Sequence, residues 1–141
     1  ANGDEDLNRP LSPEILNATL SKQSLKAIYN SFHHFTPYAI REVGLRRGSY
    51  DEDHHVAMHN DGEFAVFQIK LSGEGGNLNF LTTEGVVEPE WPLYSGMALG
   101  PNLVHGLSSF QGVNTYLILH AYTGKGAKFL SSEWEESMAA Y

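Results

Sequence analysis

Between residues 38 and 122 the chain is organised as short runs of alternating apolar and polar residues separated by glycine turns. Phe64 to Leu71 is the clearest run: Ala65, Phe67, Ile69 and Leu71 fall on one face, and Phe64, Val66, Gln68 and Lys70 on the other. Thr115 to Tyr122 is a second, with Leu117 and Leu119 opposed to Tyr116, Ile118, His120 and Tyr122. Tyr38 to Arg46, Leu78 to Thr82 and Met97 to Leu99 read as further strands, and Gly73-Glu74-Gly75-Gly76 as a turn.

The period before residue 37 differs. Leu25, Ile28, Tyr29 and Phe32 recur at helical spacing, which predicts one helix or two short ones over 13–35. Ser12-Pro13-Glu14 supplies a start and Pro37 a stop. Ser132-Glu133-Trp134-Glu135 is a capping box opening a short C-terminal helix. Residues 1–10 are polar and acidic and read as a flexible end, with 11–141 forming one domain. Helix first, then many short strands, predicts an antiparallel β-barrel or sandwich with helical packing at its edge.

The net charge of −8 argues against a nucleic-acid backbone or an anionic membrane as the main partner. The absence of cysteine excludes disulfides and thiolate metal sites. No apolar run approaches membrane-spanning length and no signal peptide is visible, which favours a cytoplasmic protein. Phosphate loops, Gly-x-Ser-x-Gly elbows and His-Glu-x-x-His motifs do not occur.

Candidate chemistry is concentrated in His59-Asn60-Asp61 and the distant His105. In a strand, residues i and i+2 share a face, so His59 and Asp61 can reach one ion together. His105 would close the site from another strand. Two imidazoles and a carboxylate form the facial triad of mononuclear non-haem iron sites, suited to Fe(II) and less selectively to Mn, Co, Ni or Zn. The competing reading is that Asn60-Asp61-Gly62 is simply a turn, with Asp61 making an Asx bond and His59 an exposed loop residue.

The surroundings resemble the Fe(II)- and 2-oxoglutarate-dependent dioxygenases of the prolyl-hydroxylase-like branch, which carry a double-stranded β-helix. Val43-Gly44-Leu45-Arg46-Arg47-Gly48-Ser49-Tyr50 precedes His59-Asn60-Asp61, as a "Y…G…Y" stretch does in that family. The strand Phe64 to Leu71 is followed by Gly75-Gly76-Asn77-Leu78-Asn79-Phe80, similar to the family's "GG-x-L-x-F". Gly96-Met97-Ala98-Leu99-Gly100-Pro101-Asn102-Leu103-Val104-His105 resembles "G-x-x-L-x-P-x-x-x-x-H" with a shorter gap. The resemblance covers about residues 40–122. It implies a jelly-roll core with N-terminal helices and His59, Asp61 and His105 as metal ligands. It further implies Fe(II), 2-oxoglutarate as co-substrate, and oxidation of a small-molecule or peptide substrate.

One departure concerns the co-substrate. The family usually places Arg or Lys nine to eleven residues after the distal histidine, a window that here holds Asn114, Thr115 and Tyr116. Asn cannot make a bidentate, charge-assisted clamp. Lys70, on the strand after His-x-Asp, is the substitute that some branches use; Arg46 and Arg47 are further candidates, and a solvated strand lysine is the bland alternative. The second resemblance is to cupins, whose second motif is similar to Gly96…Pro101…His105, although the first cupin motif is not met. His54 and His55 read as loop residues, His33 and His34 as complements to the helix C-terminus. His120, Trp91 and Tyr94 are candidates for a pocket, with ordinary packing as the alternative. A cupin-like metalloenzyme without 2-oxoglutarate, and a non-catalytic β-barrel binding module, are the rival functions.

Overall fold

The computed structural model describes residues 9–10, 21–50 and 55–129. The predicted helix start at Ser12, the predicted C-terminal helix and His54 lie outside the described residues. The chain order is β1 (Arg9–Pro10), α1 (Lys22–Phe35), β2 (Glu42–Gly48), β3 (Val56–His59), β4 (Phe64–Ser72), β5 (Leu78–Thr82), β6 (Gly85–Val87), β7 (Gly96–Leu99), β8 (His105–Leu107) and β9 (Asn114–Tyr122). The flexible end expected over 1–10 contains β1, which pairs with Gly44 and Leu45 of β2.

Strand partners nest. The β5–β6 hairpin is innermost, and β4 pairs with β7, β3 with β8, and β2 with β9. One long antiparallel hairpin is thus wound into two sheets, ordered β1-β2-β9-β4-β7 and β3-β8-β5-β6. This is a jelly roll, the double-stranded β-helix expected from sequence. Alternation did not announce β3, β6 or β8, although His59 and His105 were expected on strands. These three strands are three or four residues long, too short to show it.

The helix begins at Ser21, whose side chain accepts from the Ser24 amide at 3.1 Å, and closes with the Thr36 amide on Phe32 O just before Pro37. It does not pack at an edge as expected. It lies across the outer face of the first sheet. Tyr29 and Phe32 are buried there against Phe67, Ile69, Leu117, Leu119 and Ala121, with Ile28 and Phe35 alongside. Phe32 is fully enclosed and meets Phe67 edge-on at 6.3 Å. Because α1 covers one face and the second sheet the other, β4 is buried continuously from Ala65 to Lys70.

The space between the sheets is filled by Tyr50, Val66, Leu78, Trp91, Leu99, Leu107, Phe110, Tyr116 and Ile118. A polar knot floors it. Lys70 Nζ donates to Gly75 O at 2.8 Å and to Asn77 Oδ1 at 2.6 Å. The Tyr116 hydroxyl donates to Gly76 O at 2.7 Å, and Asn114 Nδ2 donates to Gly75 O and to the Tyr116 hydroxyl. Gly73 and Gly76 adopt positive φ, where an added Cβ would also collide with Asn114 and Tyr116.

Candidate metal centre

The opposite end of the barrel carries the histidines. His59 ends β3 and is the direct partner of His105 on β8, and Phe80 of β5 flanks His105 on its other side. A register shift between Val56 and His59 marks a β-bulge, which re-aims the end of β3. Asp61 follows in the turn. It is Asn60 that makes the Asx bond, its Oδ1 accepting from the Gly62 amide at 2.9 Å with Gly62 at φ +65. The turn chemistry visible in the sequence is real, but it occupies residue 60 and leaves the Asp61 carboxylate free to face the histidines.

Ligand-capable atoms of His59, Asp61 and His105 lie within 4.8 Å of one another. His59 Nε2 is 3.6 Å from Asp61 Oδ1 and His105 Nε2 is 3.2 Å from Asp61 Oδ2. Both rings are anchored in the same way. His59 Nδ1 donates to Ala57 O at 2.7 Å, and His105 Nδ1 donates to Leu103 O at 2.8 Å. Each carbonyl lies two residues upstream of its ring, fixes the tautomer, and turns the Nε2 lone pair toward the shared point. No sequence signal announces these acceptors, because they are main-chain atoms. A further bond, Asn102 N to Gly62 O at 2.7 Å, ties the turn bearing Asp61 to the loop entering β8.

Electrostatics match the geometry. The hydrogen bond from His105 holds Asp61 below the usual carboxylate range, helped by the nearby imidazoles and opposed by partial burial. Burial pulls His105 down, but its bonds to Asp61 and Leu103 O and the Asp61 charge outweigh that, so it titrates above an ordinary imidazole. The donor set of two neutral imidazole nitrogens and one carboxylate, gathered on one side of a point, fits a divalent first-row metal such as Fe(II). His59 and Asp61 are half-exposed and His105 is buried, so the group opens outward from His105 at its inner end.

The other candidates fall in two places. His120 faces the barrel interior beside the triad, between Glu42 and Val66 in register and edge-on to Phe64 at 6.0 Å. Burial depresses its basicity against the attraction of Glu42 and Asp61. Lys70, Asn114 and Tyr116 belong to the floor knot. Val66 pairs with His120 and Lys70 with Tyr116, so four residues, about 13 Å of strand, separate the two levels. Trp91 and Tyr94 lie with the knot and not with the triad. Trp91 is buried on Tyr116 at 5.3 Å beneath the Lys70 ammonium, and Tyr94, at φ +66, projects into solvent with its amide on Lys70 O. His55 is exposed. Gln68, which the sequence reading passed over, is buried on the inner face; a lone amide in the run Ala65–Leu71 was the available signal. Among the described residues, no helix is long and apolar enough to cross a membrane.

No family model matches the chain, and no curated protein matches it. Solved structures similar to it include hydroxypropylphosphonic acid epoxidase from S. wedmorenis, with TM-score 0.47 and 14% identity over 55% of this chain and 41% of that one. A cupin domain from Bordetella pertussis Tohama I matches with TM-score 0.42 and 11% identity, over 58% of this chain and 88% of that one. An oxalate oxidase matches with TM-score 0.46 and 10% identity, over 62% of this chain and 46% of that one. The similar region is thus less than half the length of the epoxidase and the oxidase. The jelly-roll assignment rests on the strand pairing itself.

Proposed function

We propose that the protein is a mononuclear non-haem Fe(II) oxygenase whose metal is held by His59, Asp61 and His105. The observation that carries this reading is the matched anchoring of the two imidazoles. Two unrelated backbone carbonyls aim two Nε2 atoms at one carboxylate, an arrangement a turn with a bystander histidine does not need. Bound there, Fe(II) would supply a Lewis-acidic, redox-active centre with positions left open for dioxygen and an organic substrate. The chain's own part is positional. Ala57 O and Leu103 O fix the rings, Asn60 fixes the turn that presents Asp61, and Phe64 and Phe80 provide apolar walls beside it. The substrate on this reading is a small molecule or peptide segment.

The form without 2-oxoglutarate is preferred, because Lys70, Asn114 and Tyr116 are engaged with the 75–77 turn. The 2-oxoglutarate-dependent form is the second reading. It is favoured by Arg46, which pairs with Tyr116 on the inward side of β2 and whose charge reaches both His105 and His120. Anaerobic Fe(II) titration tests the proposal: one ion per chain in the wild type, and none at the same concentration in His105→Ala. Equal binding by both proteins would refute it. Succinate formed from 2-oxoglutarate on admitting dioxygen would select the second form.

A further inference from the structure

Inward positions on β4 run Phe64, Val66, Gln68 and Lys70, and those on β9 run Tyr122, His120, Ile118 and Tyr116. Lys70 and Tyr116 are bonded in the floor knot. Gln68 and His120 differ from them. Gln68 Oε1 and His120 Nδ1 are buried and have no hydrogen-bond partner among the described residues. Gln68 is only 3% exposed. Val66 faces His120 and Gln68 faces Ile118, so the two polar side chains are diagonal neighbours about 7 Å apart on the wall beside the triad. A buried acceptor without a donor is destabilising, and an apolar residue of the same size would remove that penalty while keeping the packing. A ligand entering the barrel with O–H groups would complete both bonds.

Charge narrows the ligand. On the metal reading, on which this inference rests, a divalent ion with the single carboxylate of Asp61 keeps a net positive charge. We propose that Gln68 and His120 read the hydroxyl groups of a short hydroxylated carboxylic acid whose carboxylate faces the metal. Gln68 accepts from one hydroxyl and His120 Nδ1 bonds the other, while the apolar cluster around Ile118 and Leu99 limits the length of the molecule.

The test uses the full chain loaded with Co(II), titrated calorimetrically with glycerate and with propionate, which has the same carboxylate and no hydroxyl. Wild type is expected to prefer glycerate at least about tenfold. Gln68→Met should abolish that preference, leave Co(II) affinity unchanged, and raise the melting temperature of the metal-free protein by about 3 °C. His120→Phe should halve the preference or more. No preference in the wild type, a preference retained in Gln68→Met, a lower melting temperature for that variant, or loss of Co(II) affinity in it would each overturn the proposal. Failure of the wild type to bind Co(II) at all is a separate result, which removes the metal reading and this inference together.

Discussion

His59 and His105 are cross-strand partners, with ring centroids 4.5 Å apart and rings inclined at 54°. Direct partners on neighbouring strands are the closest side-chain pairs a sheet offers. Two imidazoles so paired, each with its Nδ1 already committed to a carbonyl, have only Nε2 left to share.

Unequal loss is expected from the ligand variants. His105 is buried at the middle of its sheet, whereas His59 ends an edge strand. His105→Ala should lower metal affinity by more than about a hundredfold, since outer partners alone are commonly worth ten- to a hundredfold. His59→Ala should leave weaker but measurable binding, because Asp61 and His105 keep their mutual geometry. Calorimetric titration with Co(II) separates the two; equal losses would count against this ranking.

Proton and metal compete for the same atoms. His105 is raised, so its interaction with Asp61 is fully present below the ordinary imidazole value and fades as pH rises through its folded value. Asp61 is lowered, so its contribution is present above the ordinary carboxylate value and is lost as pH falls through its folded value. The metal-free protein should gain most from this pair between roughly pH 4 and 6.5. Metal affinity should instead climb as His105 loses its proton above that window. Urea denaturation with and without Co(II), at a series of pH values, would show the two trends moving in opposite directions.

The floor knot predicts a purely structural phenotype. Lys70→Met strands the Asn77 side chain and leaves Gly75 O with only its bond from Asn114, and Tyr116→Phe strands Gly76 O. Each should cost about 1–3 kcal/mol in chemical denaturation while leaving metal affinity unchanged. A change in 2-oxoglutarate binding with stability intact would return these residues to a co-substrate role.

The Asx turn allows a graded test. Asn60→Ala removes one bond to the Gly62 amide, worth about 1 kcal/mol, and loosens the presentation of Asp61 without touching a ligand. Metal affinity should fall less than in any ligand variant, and Asn60→Asp should restore most of it.

How far the fold could be read depended on element length. β4 and β9, nine residues each, show their alternation plainly; β8, at three residues, cannot, although it carries His105. The triad was legible because His-x-Asp and a distal histidine are side-chain identities. The carbonyls of Ala57 and Leu103 were not, since any residue supplies one. Lys70 shows what side-chain identity leaves open. Its place after His-x-Asp suggested a co-substrate anchor, and only the glycine turn folding back over it shows where the ammonium goes. α1 was legible as amphipathic, but nothing in its stripe says which sheet face it covers.

Among the described residues β3 is a margin of its sheet, short, half-exposed and bulged. An ion shared by His59, Asp61 and His105 would staple that raw border to the strand behind it. Loading the centre would then do more than equip it for chemistry. It would also hold the short strand against fraying, so loss of the metal would loosen this border before the rest of the barrel.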